Sequence, residues 1–250
     1  MPETTFPTEV IDLPSKGYLY PEKSPLSSGQ IELKYMTAKD EDILTSQNLI
    51  AKGVVLDVLL DNLIVDKKVK VDDLLIGDKN ALLIAARVLA YGKQYEFDVT
   101  SPVTGEPTTH NLDLTSLKDV SVDFSKMTKG QNEFEFTLPT TDRVIKYKLL
   151  TSGDVDAIEK RAKSLSKISD IDRSLTTRLK HMILEVDGNS ERSVVNNFVD
   201  NEFFAVDSRS FRKYISDNTP DIDLEISIDV DGEEVDITVP MTVQFFWPSS

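Results

Sequence analysis

The run from Leu224 to Val239 leaves the chain little choice of local structure. Leu224, Ile226, Ile228 and Val230 alternate with other residues, Asp231-Gly232 interrupts, and Val235, Ile237 and Val239 alternate out again. A period of two puts one apolar face on an extended strand, and Asp-Gly reverses two such strands in a two-residue turn. Two strands alone do not hold in water, so the hairpin needs a second layer to cover that face. The covering layer is helical: Leu49, Ile50, Val54, Val58, Leu59 and Leu63 fall at helical spacing, as do Leu175, Leu179, Met182, Ile183 and Val186. Hairpins and helices grouped in separate runs make the expected fold class α+β.

Along the chain this pattern occurs twice. Residues 1–30 hold Pro2, Pro7, Pro14, Pro21 and Pro25, which prevent helix and leave an extended N-terminal arm with Ile11, Leu13, Tyr18, Leu19 and Tyr20 as apolar anchors. Residues 31–118 read as a strand (Ile31 to Tyr35), a helix start at Thr37 with Asp40 and Glu41, helices separated at Gly53, a helix capped by Asp78 and closed by Gly92, and a hairpin. That hairpin runs out through Tyr95, Phe97 and Val99, turns at Ser101 to Pro107, and returns through Leu112 and Leu114. Residues 119–132 are polar and read as a linker. Residues 133–250 repeat the order. Phe134, Phe136 and Leu138 pair with Val144 to Leu149, Thr151 or Ser152 caps a helix to about Ser166, and a second helix follows. Phe198 and Phe204 mark a third helix, Asp207 caps a fourth with Phe211 and Ile215, and the Asp-Gly hairpin closes the half. Two helical regions, each closed by a β-hairpin, point to an internal duplication.

The composition narrows the chemistry. There is no cysteine, so disulfides, thiolate nucleophiles and sulfur-ligated zinc are absent and an intracellular setting is expected. Of 250 residues, 43 are Asp or Glu and 28 Lys or Arg, a formal −15 that repels a phosphate backbone; nucleic acid is not an expected partner. The N-terminus lacks the regions of a signal peptide. The longest apolar run, Ala81 to Tyr91, contains Arg87 and suits a core helix of about three turns, so no membrane insertion is expected. His110 and His181 stand apart, and His181 with Glu185 gives at most two metal ligands. Asp229-Val-Asp-Gly resembles the middle of a calcium loop, but Ser227 and Thr238 occupy the positions where carboxylates are needed. No phosphate-binding glycine motif occurs. No catalytic residue, cofactor or metal ligand is therefore expected.

Several stretches together resemble the baseplate hub proteins of T4-like contractile-tailed bacteriophages: Ile11-Asp-Leu-Pro-Ser-Lys-Gly-Tyr-Leu-Tyr-Pro-Glu, Ile31-Glu-Leu-Lys-Tyr-Met-Thr-Ala-Lys-Asp-Glu-Asp-Ile, Asp73-Leu-Leu-Ile-Gly-Asp-Lys-Asn with Tyr91-Gly, and Phe245-Phe-Trp-Pro. The resemblance implies a structural or assembly role at the tail tip, in the virion baseplate or in the host cytoplasm during assembly, with other baseplate and hub proteins as partners. Members of that family can carry Cys-Pro-x-Cys in the first closing hairpin. Ser101-Pro-Val-Thr-Gly stands there in this chain, and a metal role does not carry over.

Two segments have the composition of contact sites. Phe245, Phe246 and Trp247 form an aromatic cluster beyond the last hairpin, and Tyr18, Leu19 and Tyr20 lie in the arm. Each set can equally cover the chain's own core. The expected function is assembly of the baseplate hub by protein–protein contact, without enzymatic activity. A soluble assembly chaperone absent from the virion is the nearer alternative. A hydrolase built on Asp40/Asp42 or Asp154/Asp156 is the remoter one, because residues two apart do not face each other on a helix. Oligomeric state is left open by the sequence.

Overall fold

A computed structural model describes residues 7–166 and 172–247 of the chain. Strand β1 (Thr8–Asp12) pairs antiparallel with β2 (Gln30–Lys34), Ile11 opposite Ile31, and a bridge from Leu33 to Ile64 adds a third extended segment. Helices α1 (Ala38–Leu44), α2 (Gln47–Lys52) and α3 (Val55–Leu63) follow. The helix start read at Thr37 with Asp40 and Glu41 opens α1 as a capping box, and Gly53, in the left-handed region, ends α2. The long helix α4 (Ile76–Tyr91) runs through the core with Leu82, Leu83 and Ala86 buried. Its Gly77 touches the second half of the chain so closely that a Cβ there would stand 2.0 Å from the Pro220 carbonyl oxygen. The hairpin of β3 (Gln94–Thr100) and β4 (Pro107–Asp113) closes this half, Tyr95 opposite Leu112.

The second half begins with a three-stranded sheet in the order β5 (Phe134–Thr137), β6 (Val144–Tyr147), β7 (Ile183–Val186). Helices α5 (Ser152–Ser166), α6 (Ser174–Met182), α7 (Arg192–Asn197) and α8 (Ala205–Asn218) precede the hairpin of β8 (Glu225–Val230) and β9 (Glu233–Thr238). Its turn is the one read from Asp231-Gly232: both residues have positive φ, 56° and 87°, as a two-residue turn matched to strand twist requires. One helical turn, Val243–Phe246, ends the described chain.

The order of parts recurs. Each half enters its first helix through a Thr-x-x-Asp start (Thr37/Asp40, Thr151/Asp154) and ends with a helix followed by a hairpin. The halves share one hydrophobic cluster that runs from Leu13 to Phe246. Bridges Leu75–Thr151 and Asp119–Ile222, and the ion pair of Lys79 with Asp57 beside the Ser152 hydroxyl, join them.

Three local expectations need correction. The apolar positions Leu175 to Val186 are not one helix: α6 stops at Met182, and Ile183–Val186 is strand β7. β-Branched Ile183 and Val186 gain complete burial beside β6, which outweighs a helical period that continues by coincidence. His181 and Glu185 therefore do not share a helix face. Phe198 lies in a π-helical turn, Phe198–Glu202, and exposed Phe204 stands at the N-cap of α8. Asp78 and Asp207 are not caps either; Leu75 and Phe204 hold those positions, and both carboxylates sit within the first turn of their helices, fully buried.

Candidate functional site

Two buried aspartates, each in the first turn of a helix, hold segments remote in sequence. Asp78, in the first turn of α4, accepts hydrogen bonds from the Ser15 N–H at 2.9 Å, the Ser15 hydroxyl at 2.7 Å and the Tyr20 hydroxyl at 2.5 Å. Tyr20 in turn accepts from the Leu75 N–H at 2.8 Å. No Lys or Arg pairs with Asp78 among the described residues. The donors and the positive end of the helix dipole take the place of a counter-ion. Burial pushes the Asp78 carboxyl above its ordinary value even though three donors pull it down, and burial beside Asp78 raises the Tyr20 phenol as well. Asp207, in the first turn of α8, accepts from the Thr140 N–H at 2.8 Å and the Thr141 hydroxyl at 2.9 Å, clamping the turn of the β5–β6 hairpin. Burial raises it, but the donors of Thr140 and Thr141 prevail and its carboxyl lies below the usual value.

At the other end of α4 the charge is reversed. Arg87 is buried, and its guanidinium donates from Nε to the Phe245 carbonyl at 3.1 Å, from Nη1 to the Gly92 carbonyl at 3.1 Å and from Nη2 to the Gln94 carbonyl at 3.4 Å. It also lies over the Tyr91 ring. A cation beside the last carbonyls of a helix is favoured by the dipole, and here it gathers the helix end, the start of β3 and the C-terminal turn. Desolvation lowers its pKa from the ordinary arginine value.

These two clamps decide where the expected contact residues fall. Leu19 and Tyr20 are buried under the Asp78 clamp, and Tyr18 is half-buried with its ring 5.3 Å from that of Phe124. Phe245 and Phe246 are fully buried; Phe245 packs on Tyr95 at 5.0 Å and edge-on to Phe246 at 5.6 Å. Of the six, only Trp247 is classed as exposed, at 38%. It flanks a groove with Ile50, itself 37% exposed, and with Leu44, Gln47 and Val243. The sequence carried no signal for Ile50 as a neighbour of Trp247, because their adjacency depends on the Arg87 clamp.

The remaining candidates for chemistry are engaged structurally. Asp40 accepts from the Thr37 N–H and hydroxyl and from Asn62, whereas Asp42 is exposed. Asp154 pairs with Lys148 at 2.7 Å, while Asp156 lies near Asp57 and is pushed upward by burial and that charge. His110 meets Thr108 Oγ1 at 2.8 Å and stacks on Phe97, and His181 meets the Thr177 carbonyl. In the turn from Ser101 to Pro107, the buried Ser101 hydroxyl accepts from the Val103 and Thr104 N–H groups and donates to Asp231 of the other closing hairpin at 2.5 Å. No group of three or more His, Asp or Glu able to hold a metal occurs among the described residues. No helix among them is long and apolar enough to cross a membrane.

Electrostatically the closing hairpins stand out. Segment 94–113 contains four Asp or Glu and segment 221–238 eight, and neither contains Lys or Arg. The hydrogen bond between Ser101 and Asp231 brings these two acidic stretches together.

Residues 17–247 match a family model described as T4 bacteriophage base plate protein. No curated protein and no solved structure matches the chain.

Proposed function

The chain belongs to the T4 bacteriophage base plate protein family and is a structural protein of the phage baseplate, and from this premise we propose that it serves in the hub as a prefolded subunit acting by contact. The observation that carries this reading is the double clamp on α4. Asp78 and Arg87 fix both terminal segments on the chain's own core, so the surface offered to neighbours is built before assembly rather than ordered by it. Trp247 with Ile50, the half-buried Tyr18, and the acidic closing hairpins are the contact features that remain outside. Phe245, Phe246, Leu19 and Tyr20 act behind them by holding that surface in place. The recurrence of parts supports treating residues 31–118 and 133–250 as two copies of one unit joined through 119–132. Binding without catalysis fits the engagement of the candidate carboxylates and histidines in helix starts and turns.

Mass spectrometry of purified tails tests the hub reading against that of an assembly factor. The chain is expected in the finished particle at a fixed ratio to the other baseplate proteins. Its absence from particles that need it to form would make it a chaperone. A functional subunit whose Asp78 or Arg87 variants fold and assemble unchanged would remove the prefolded-surface argument.

A further inference from the structure

Among the described residues, strand β1 has a strand partner on one side only. The Tyr35 N–H donates to the Pro7 carbonyl and the Leu13 N–H to the Gly29 carbonyl. With Glu9 opposite Leu33 and Ile11 opposite Ile31, those odd-numbered residues therefore make the ladder to β2. The main-chain N–H and C=O groups of Thr8, Val10 and Asp12 point the other way, and no strand pairs with them among the described residues. The parity is confirmed on β2, where the Glu32 carbonyl, opposite Val10, accepts from the Val65 N–H on the far side. Val10 itself is 56% exposed.

Beside β1 lies a groove of about 500 Å³. Ala81, Ala85 and Val88 of α4 form its floor at helical spacing, with Ile11 and Leu117 as walls. Its only formally charged lining residues are Glu9 and Asp12. An edge strand with unpaired donors and acceptors next to an apolar helix face has the two parts of a strand-addition site: main-chain bonds to register an extended peptide, and a trough for every second side chain. The acidic rim, on a chain of net charge −15, selects the flanking residues.

We propose that the open edge of β1 and the α4 groove take up an extended segment of a neighbouring protein, apolar at alternate positions and flanked by Lys or Arg. This rests on the contact reading above and names the chemistry of one partner. The segment runs along Thr8, Val10 and Asp12, places its apolar side chains over Ala85 and Val88, and its cations meet Glu9 and Asp12.

The test uses the full chain and a fluorescein-labelled peptide of alternating valine and threonine with lysine at both ends, read by fluorescence anisotropy. A control peptide keeps the lysines but replaces valine with proline, so it has the charge without the strand. Val10→Pro removes one outward N–H and leaves the β1–β2 ladder intact, since Val10 does not bond to β2. Ala85→Arg obstructs the groove, and Glu9→Lys with Asp12→Lys reverses the rim. Circular dichroism confirms the fold of each. Saturable binding of the valine peptide is expected, weakened about tenfold or more by each of the three changes and absent for the proline control. Equal binding of both peptides, or unchanged binding to Val10→Pro, overturns the proposal. A Val10-dependent dimer seen by sedimentation would show the occupant to be a second copy. Tenfold tighter peptide binding after removal of residues 1–6 would show it to be the chain's own N-terminus. Either result overturns the assignment to a neighbouring protein. Failure here leaves the hub reading untouched, because that reading is decided by the composition of the particle.

Discussion

Two side chains of opposite charge, Asp78 and Arg87, hold the segments around Ser15 to Tyr20 and around Phe245, and each matches the pole of the helix that carries it. Removing either leaves buried partners unsatisfied. Asp78→Ala orphans the Ser15 N–H and the Tyr20 hydroxyl, and Arg87→Ala orphans the Phe245 carbonyl. Each is expected to lower the stability measured in urea by about 3 kcal/mol. The pH dependence of the aspartates has opposite signs. Asp78 is raised in the fold, so its contribution is full at low pH and is lost as pH rises through its folded pKa. Asp207 is lowered, so its contribution is present above the ordinary carboxyl value and is lost as pH falls through its folded pKa. In melting experiments, wild type is therefore expected to gain on Asp78→Asn as pH drops through the folded pKa of Asp78, above the ordinary carboxyl range, with no such gain relative to Asp207→Asn. A parallel course for wild type and Asp78→Asn would contradict the burial of an unpaired carboxyl. Both aspartates are legible in the sequence as helix-start residues. Their partners are not, because Ser15 and Tyr20 lie far from Asp78 along the chain and Thr140 and Thr141 far from Asp207, and a pattern of local spacing does not record such contacts.

Among elements, the hairpins were readable because turn chemistry and alternation agree. Asp231-Gly232 places its residues at positive φ, and Tyr95 meets Leu112 in register. The helix start at Thr37 was equally plain, and Thr37→Ala is expected to cost about 1 kcal/mol in thermal unfolding. Strand β7 was misread as helix because Ile183 and Val186 continue the apolar period of α6, while the edge of β6 that captures them is remote in sequence. The C-terminal turn shows the same limit. Its aromatic composition fits core and contact alike, and packing on Tyr95 and Arg87 separates Phe245 and Phe246 from Trp247. Truncation distinguishes them: Phe245→Ala is expected to cost about 3 to 4 kcal/mol, a core value, whereas Trp247→Ala should leave the melting temperature nearly unchanged and reduce incorporation into tails. A large loss of stability from Trp247→Ala would return that ring to the core and remove it from the contact surface.

For the molecule as a whole, the α+β class follows from pattern, while the placement of the two halves depends on contacts such as Gly77 on Pro220 and Lys79 between Asp57 and Ser152. What distinguishes this chain from one that folds on its partner is that both terminal segments are already docked. Hydrogen exchange on the isolated chain and on the chain within assembled tails measures that directly. The expected result is slow exchange in the isolated chain for the amides of Leu13 to Tyr20 that are hydrogen-bonded and for Phe245, comparable to α4. Further protection on assembly should be confined to outward groups such as Val10 and the surface around Ile50 and Trp247. Rapid exchange of both terminal segments in isolation, with protection gained only in the tail, would contradict the account and make them arms that order on assembly.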